Sequence, residues 1–128
     1  MSSDFEEFGG ESFFINLVSD FYEGVKNDPI LKPMYPENDF EGAIKRLSLF
    51  LMQYWGGPTT YSEQRGHPRL RMRHIPFAID FIARDAWLTH MRNALQKQKL
   101  NSDLETKIWN YLLMAANSMV NTRNDEII

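Results

Sequence analysis

The chain has 128 residues, 43% of them hydrophobic and 13% aromatic, with a formal net charge of −3. That length suits one domain with a single sizeable core, and the composition excludes extended disorder. The absence of cysteine excludes a disulfide framework and suits the cytoplasm. The opening MSSDFEEFGG lacks the basic flank and apolar run of a secretory signal, and no apolar run approaches the roughly eighteen residues of a membrane span.

Gly9-Gly10 reads as a flexible break that sets residues 1–10 apart as an N-terminal extension. Phe13, Leu17, Phe21 and Val25 then recur at helical spacing, with Phe14 and Val18 beside them. This predicts an amphipathic helix from Glu11 to about Lys26, with Tyr22 next to its apolar stripe. Asn27-Asp28-Pro29 ends it. Pro29, Pro33 and Pro36 leave room for no more than a turn or a one-turn helix around Tyr35. Asn38 is placed to cap the next helix, with Glu41 three residues on to reach back. Phe40, Ala43, Ile44, Leu47, Phe50, Leu51 and Tyr54 mark that helix, which Gly56-Gly57-Pro58 stops.

Thr59 to Pro68 reads as a polar connection, followed by a short helix that His74 closes before Pro76. Phe77, Ile79 and Phe81 alternate with Ala78 and Asp80, which predicts an extended lead-in. A helix follows from near Ala83 to about Gln98, with Trp87, Met91, Ala94 and Leu95 inward. Ser102 and Glu105 form a capping box for the last helix, which carries Leu104, Ile108, Tyr111, Leu112, Ala115 and Met119 and ends near Asn121. Residues 122–128 read as a frayed tail. Nothing apart from the lead-in resembles a strand, so the expected fold class is all-α.

The stretch YSEQRGHPRLRMRHIPF, from Tyr61 to Phe77, concentrates the chemistry. It holds Arg65, Arg69, Arg71 and Arg73 against one acid, Glu63, and two of the three histidines, His67 and His74. An imidazole with apolar residues on one side and guanidiniums on the other suits a flat apolar ligand with an anionic edge. Haem fits that description, since imidazole binds its iron and arginines pair with its propionates. Plainer readings stay open. A lone histidine at a helix end is most often a cap or surface group. An arginine run can be a nucleic-acid patch, although this chain is acidic and the run lacks aromatic interleaving. Zinc is disfavoured, because His67, His74 and His90 lack the short paired spacing of a helical zinc motif. Taken singly, Tyr22 is a core or rim tyrosine, Tyr35 a loop anchor and Trp87 a packing residue.

Five segments change that reading by occurring together and in order: FYEGVKNDP around Tyr22, Tyr35-Pro36, QYWGGP at 53–58, YSEQRGHPRLRMRH at 61–74, and RDAWL around Trp87. Over about residues 5–121 the chain resembles the second group of truncated haemoglobins, in a form close to the actinobacterial one. The resemblance implies a shortened globin fold, with two antiparallel helix pairs stacked two-over-two around haem b. Residues 39–55 would form the distal helix, and 83–98 with 103–121 the second pair. It implies His74 as the proximal iron ligand and Tyr22, Tyr35 and Trp87 as polar distal residues. Ala43 falls where larger globins carry a histidine, and Leu47 lies one turn further along. Arg46 and Arg73 match propionate-facing positions. Phe50, Tyr61, His67, Leu70, Phe77, Ile79 and Met114 would be wall residues.

The function implied is reversible binding of oxygen and other diatomic gases, NO and CO among them, at ferrous haem. Three distal donors, each with a polar hydrogen that needs a partner once buried, would hold oxygen tightly. The alternative is a redox enzyme, peroxidase-like or NO-consuming. It would need an external reductase, because the chain has no flavin or nicotinamide fingerprint. A third reading, an interaction domain that has lost haem, conflicts with His74 and its arginines. Neither nucleic acid nor a membrane is an expected partner.

Overall fold

The computed structural model describes residues 4–35, 39–66 and 79–121. Six α-helices and one short 3-10 turn, Lys32–Met34, account for most of them, and no strand occurs among the described residues. Nor, among them, is any helix long and apolar enough to cross a membrane.

The Gly9-Gly10 stretch differs from the flexible break expected. Asp4–Phe8 forms α1, and Gly9, at φ 121°, turns the chain into α2 with a backbone that other residues rarely adopt. Phe5 and Phe8 lie three residues apart, on one face of the short helix. Phe8 is buried against the rings of Phe13 and Trp55, while the Phe5 N–H donates to the Trp55 carbonyl at 2.8 Å. Lys107 adds an ion pair to Asp4 at 2.8 Å. The glycine pair is therefore a turn between two packed helices.

α2 (Gly10–Val25) is the central element. Phe14, Leu17, Val18, Phe21 and Val25 are fully enclosed, as the predicted stripe requires. One side packs on α3 (Phe40–Tyr54) and another on α5 (Phe81–Lys97), which in turn packs on α6 (Ser102–Met119). α4 (Thr60–Arg65) follows α3 and packs on it, in the stretch expected to be a plain connection. Gln53 secures it, donating to Ser62 Oγ at 2.7 Å and accepting from the Ser62 N–H at 3.0 Å.

Three helix starts differ from the sequence reading, two of them through a side-chain cap. Asn38 lies outside the described residues, and Asp39 occupies the cap of α3 without a capping side-chain bond. Its carboxylate instead accepts from both terminal nitrogens of Arg46, at 3.3 Å each. α5 begins at Phe81 rather than near Ala83, because the Asp80 side chain accepts from the Ala83 N–H at 2.8 Å. That cap draws Phe81 into the helix and ends the alternation read as extended. In α6 the cap is Asn101, one residue before the expected Ser102, and it accepts from the Leu104 N–H at 2.9 Å.

The turn after α2 is tied to α5 by Asp28 and His90, with Nε2 and Oδ2 2.6 Å apart. The other Asp28 oxygen accepts from the Ile30 N–H at 2.7 Å. Gly24 makes room for this pair, since a Cβ there would fall on the His90 imidazole. The hydrogen bond from His90, with that from Ile30, holds the Asp28 carboxyl below its ordinary range. A depressed folded-state pKa stabilises the fold above the unfolded value of about 3.9, and the gain disappears as pH falls through the lower folded value. The urea midpoint of the wild type should therefore exceed that of Asp28→Asn above that pH, and the gap should close on acidification. A gap independent of pH would place the effect elsewhere.

Candidate functional site

A cavity of about 550 Å³ opens between the helices, within the range of small-molecule and cofactor sites, roughly 300–1,000 Å³. α3 supplies Ala43, Leu47, Phe50 and Leu51, and α6 supplies Tyr111, Leu112, Ala115 and Met119. Besides Asp39, Tyr61 and Tyr111, the polar groups of the lining fall into two sets. Tyr22, Tyr35 and Trp87 form one set, and the arginines Arg46, Arg65 and Arg84 form the other.

The aromatic set draws on three separate elements. Tyr22 is buried on α2, Tyr35 follows the 3-10 turn, and Trp87 lies on α5. The rings of Tyr22 and Tyr35 meet edge-on at 5.3 Å, and Phe40 contacts both, at 6.0 and 5.9 Å. Phe21 braces Trp87 at 5.1 Å. The Tyr35 oxygen accepts from the Tyr22 hydroxyl and from the Trp87 indole N–H. Burial, with Tyr35 adding to it, raises the Tyr22 phenol far above its ordinary range. Burial also raises Tyr35, partly offset by the two bonds it accepts. All three groups therefore keep their hydrogens at neutral pH. Because the Tyr35 oxygen serves as acceptor, its own hydroxyl hydrogen remains for the cavity.

The basic set is held by carboxylates and amides. Arg46 is locked to Asp39, which requires Gly42, because a Cβ there would meet both partners. Arg84 donates to Asp85 at 2.8 and 3.0 Å and to Asn117 at 3.2 Å, with its guanidinium 4.9 Å from the centre of the Phe81 ring. Both side chains remain partly exposed, so they sit at the rim.

Among the residues expected from the sequence, Tyr22, Tyr35, Arg46, Leu47, Phe50, Tyr61, Ile79 and Trp87 line this one cavity, as does Ala43. Met114 does not. It faces outward with 60% of its surface exposed, and Tyr111, Leu112, Ala115 and Met119 present the inner face of α6. His67, Leu70, Arg73, His74 and Phe77 lie outside the described residues. The sequence reading missed Arg65, Arg84 and Tyr111 as cavity residues. Arg84 had a usable clue: it stands three residues before Trp87, on the same helix face.

Residues 3–121 match the bacterial-like globin family. A group 2 truncated haemoglobin of Bacillus subtilis, YjbI, is 41% identical over 117 residues, which span 91% of this chain and 88% of that protein. The structure of a thermostable haemoglobin from Thermobifida fusca is 57% identical and superposes with a TM-score of 0.92, covering 94% of this chain and 98% of that one. A truncated oxygen-avid haemoglobin from Bacillus subtilis gives 38% identity and a TM-score of 0.87, covering 94% and 100%. The chain belongs to the bacterial-like globins. Within them it stands with the group 2 truncated haemoglobins, and its all-helical, two-over-two architecture is theirs.

Membership implies haem, and the residues present fit it. Apolar walls from α3 and α6 suit a flat macrocycle, guanidiniums at the rim suit its carboxylates, and Tyr22, Tyr35 and Trp87 add a cluster of polar hydrogens.

Proposed function

We propose that this protein reversibly binds oxygen and other diatomic gases at ferrous haem b and holds oxygen tightly. The carrying observation is the hydrogen-bonded set of Tyr22, Tyr35 and Trp87 lining an otherwise largely apolar cavity. Haem supplies an iron that takes up small gases, and the chain decides how long they stay. In this reading His74 ligates the iron, while Arg46 and Arg73 pair with the propionates. Phe50, Tyr61, His67, Leu70, Phe77 and Ile79 enclose the ring. Tyr35 donates to the gas from its hydroxyl, and Tyr22 and Trp87 polarise that hydroxyl through its oxygen. Ala43 and Leu47 have no polar hydrogen to offer and pack only. The avidity for oxygen stated for the Bacillus subtilis structure supports the same reading here.

Purified protein, reduced and then opened to air, should show an intense haem band that shifts on oxygenation and returns slowly under oxygen-free buffer. A protein without such a band would be an interaction domain instead. The second reading is a peroxidase-like or NO-consuming enzyme served by an external reductase in the cytoplasm. It is favoured by the tyrosines in the cavity wall, and sustained turnover of peroxide or NO with a reductase present would establish it.

A further inference from the structure

His90 and Asp28 do not line the cavity, yet a continuous run of hydrogen bonds leads from them to Tyr35, which does. His90 follows Trp87 by three residues on α5, so the two side chains leave neighbouring turns of one helix face. Trp87 donates to the Tyr35 oxygen, and His90 grips Asp28, seven residues before Tyr35. One face of α5 thus holds the segment between α2 and Tyr35 at both ends.

The segment between those two anchors is stiff. The second carboxylate oxygen of Asp28 accepts from the Ile30 N–H at 2.7 Å, and the Asp28 carbonyl accepts from the Lys32 N–H at 2.9 Å. The Lys32 carbonyl in turn accepts from the Tyr35 N–H at 3.2 Å. Pro29 and Pro33 each fix a backbone angle along the way, and Leu31 is buried as part of the cavity wall. The far end is equally fixed, because the α2 backbone at Gly24 lies against the His90 imidazole. The side chains of His90 and Asp28 are only 23% and 13% exposed, so their bond escapes most of the screening that weakens surface pairs.

We propose that His90 and Asp28 are positioning residues for oxygen retention: by anchoring the turn before Tyr35 they fix where the Tyr35 hydroxyl points in the cavity. The inference rests on the gas-binding reading above and concerns how that reading is achieved. The Tyr35 oxygen already accepts from Tyr22 and from Trp87. With both acceptor positions filled, its own hydrogen has one direction left, and the placement of the ring sets the aim. Hydrogen bonds weaken steeply when bent, so a small shift of the turn costs much of the donation. A pair that served stability alone would leave the bound gas unaffected.

The test uses carbon monoxide on the reduced, haem-loaded protein, read by infrared spectroscopy, beside stopped-flow oxygen displacement. A donated hydrogen bond weakens the C–O bond, so its loss raises the stretching frequency. His90→Leu should raise that frequency and quicken oxygen release several-fold. His90→Gln, whose amide nitrogen can take the place of Nε2, should bring both back towards wild type. Asp28→Asn keeps an oxygen for the Ile30 N–H but loses the charge, and should move both in the same direction by less. Added to Tyr35→Phe, His90→Leu should change neither any further, because its effect passes through the Tyr35 hydroxyl. Unchanged frequency and release in the folded His90 and Asp28 variants, or an equal shift in the Tyr35→Phe background, would overturn this inference alone. A wild-type protein that takes up no haem would overturn the functional reading with it.

Discussion

His74→Ala is expected to abolish stable haem uptake, whereas His67→Ala and His90→Ala should leave the iron bound. The chain has three histidines. His90 does not line the cavity, and its imidazole is engaged by Asp28 at 2.6 Å and seated over Gly24. That leaves the two in the arginine-rich run, and the proposed reading, following the family resemblance, gives the iron to His74. The visible spectrum of each reduced variant decides the matter, and an unchanged ferrous band in His74→Ala would refute the assignment. An imidazole must be neutral to bind metal, so acid should release the haem, with competition setting in below the free histidine pKa of about 6.5.

The second large effect concerns oxygen release. Trp87→Phe keeps an aromatic ring against Phe21 but removes the N–H that the Tyr35 oxygen accepts. Weakening the Tyr35 donor costs at most one net hydrogen bond to oxygen, about 0.5–1.5 kcal/mol, so dissociation should quicken by up to roughly 13-fold. Tyr35→Phe acts twice. It removes the hydroxyl facing the cavity, and it strands the Tyr22 hydroxyl and the Trp87 N–H without their common acceptor. Stranding a buried donor costs about 1–3 kcal/mol, so this variant should also lose stability. The double variant should release oxygen more slowly than the product of the single effects predicts, because both act through one network. Stopped-flow oxygen displacement measures all three. A Trp87→Phe rate equal to wild type would return Trp87 to a packing role.

Much of the helical scaffold was legible because its stripes are long. Phe13 to Val25 repeats apolar residues over several turns, and burial follows that repeat. From Phe40 to Tyr54 it follows less closely, with Ser48 and Met52 buried off the stripe and Tyr54 exposed at its end. The ends were less legible. Asp80, Asn101 and Ser102 are all competent caps by residue type, and only backbone geometry decides which side chain reaches a free N–H. α1 was obscured by the glycine pair, which permits a tight turn as readily as a loose tether. Within the site, Tyr22, Tyr35 and Trp87 come from three distant segments, and neither periodicity nor spacing links them. The ordered motifs made them a set, and the fold supplies the reason: each has a polar hydrogen and they share one oxygen. Tyr111 and Met114 show the opposite limit. Both stand near the apolar stripe of α6, and a difference of three positions puts one on the cavity and the other in solvent.

Ile79 and Asn121 form a reciprocal clasp. The Ile79 N–H donates to the Asn121 side-chain oxygen at 2.8 Å, and the Asn121 N–H donates to the Ile79 carbonyl at 2.9 Å. These bonds lie near the surface and are each worth about 0.5–1.5 kcal/mol, against about 5–15 kcal/mol for unfolding a whole domain. The clasp therefore opens by itself far more often than the molecule unfolds. Ile79 is a cavity residue, so each opening loosens one wall while the packed helices stay in place. Backbone hydrogen exchange at Ile79 and Asn121 reports those openings, on a timescale set by the clasp and independent of global stability.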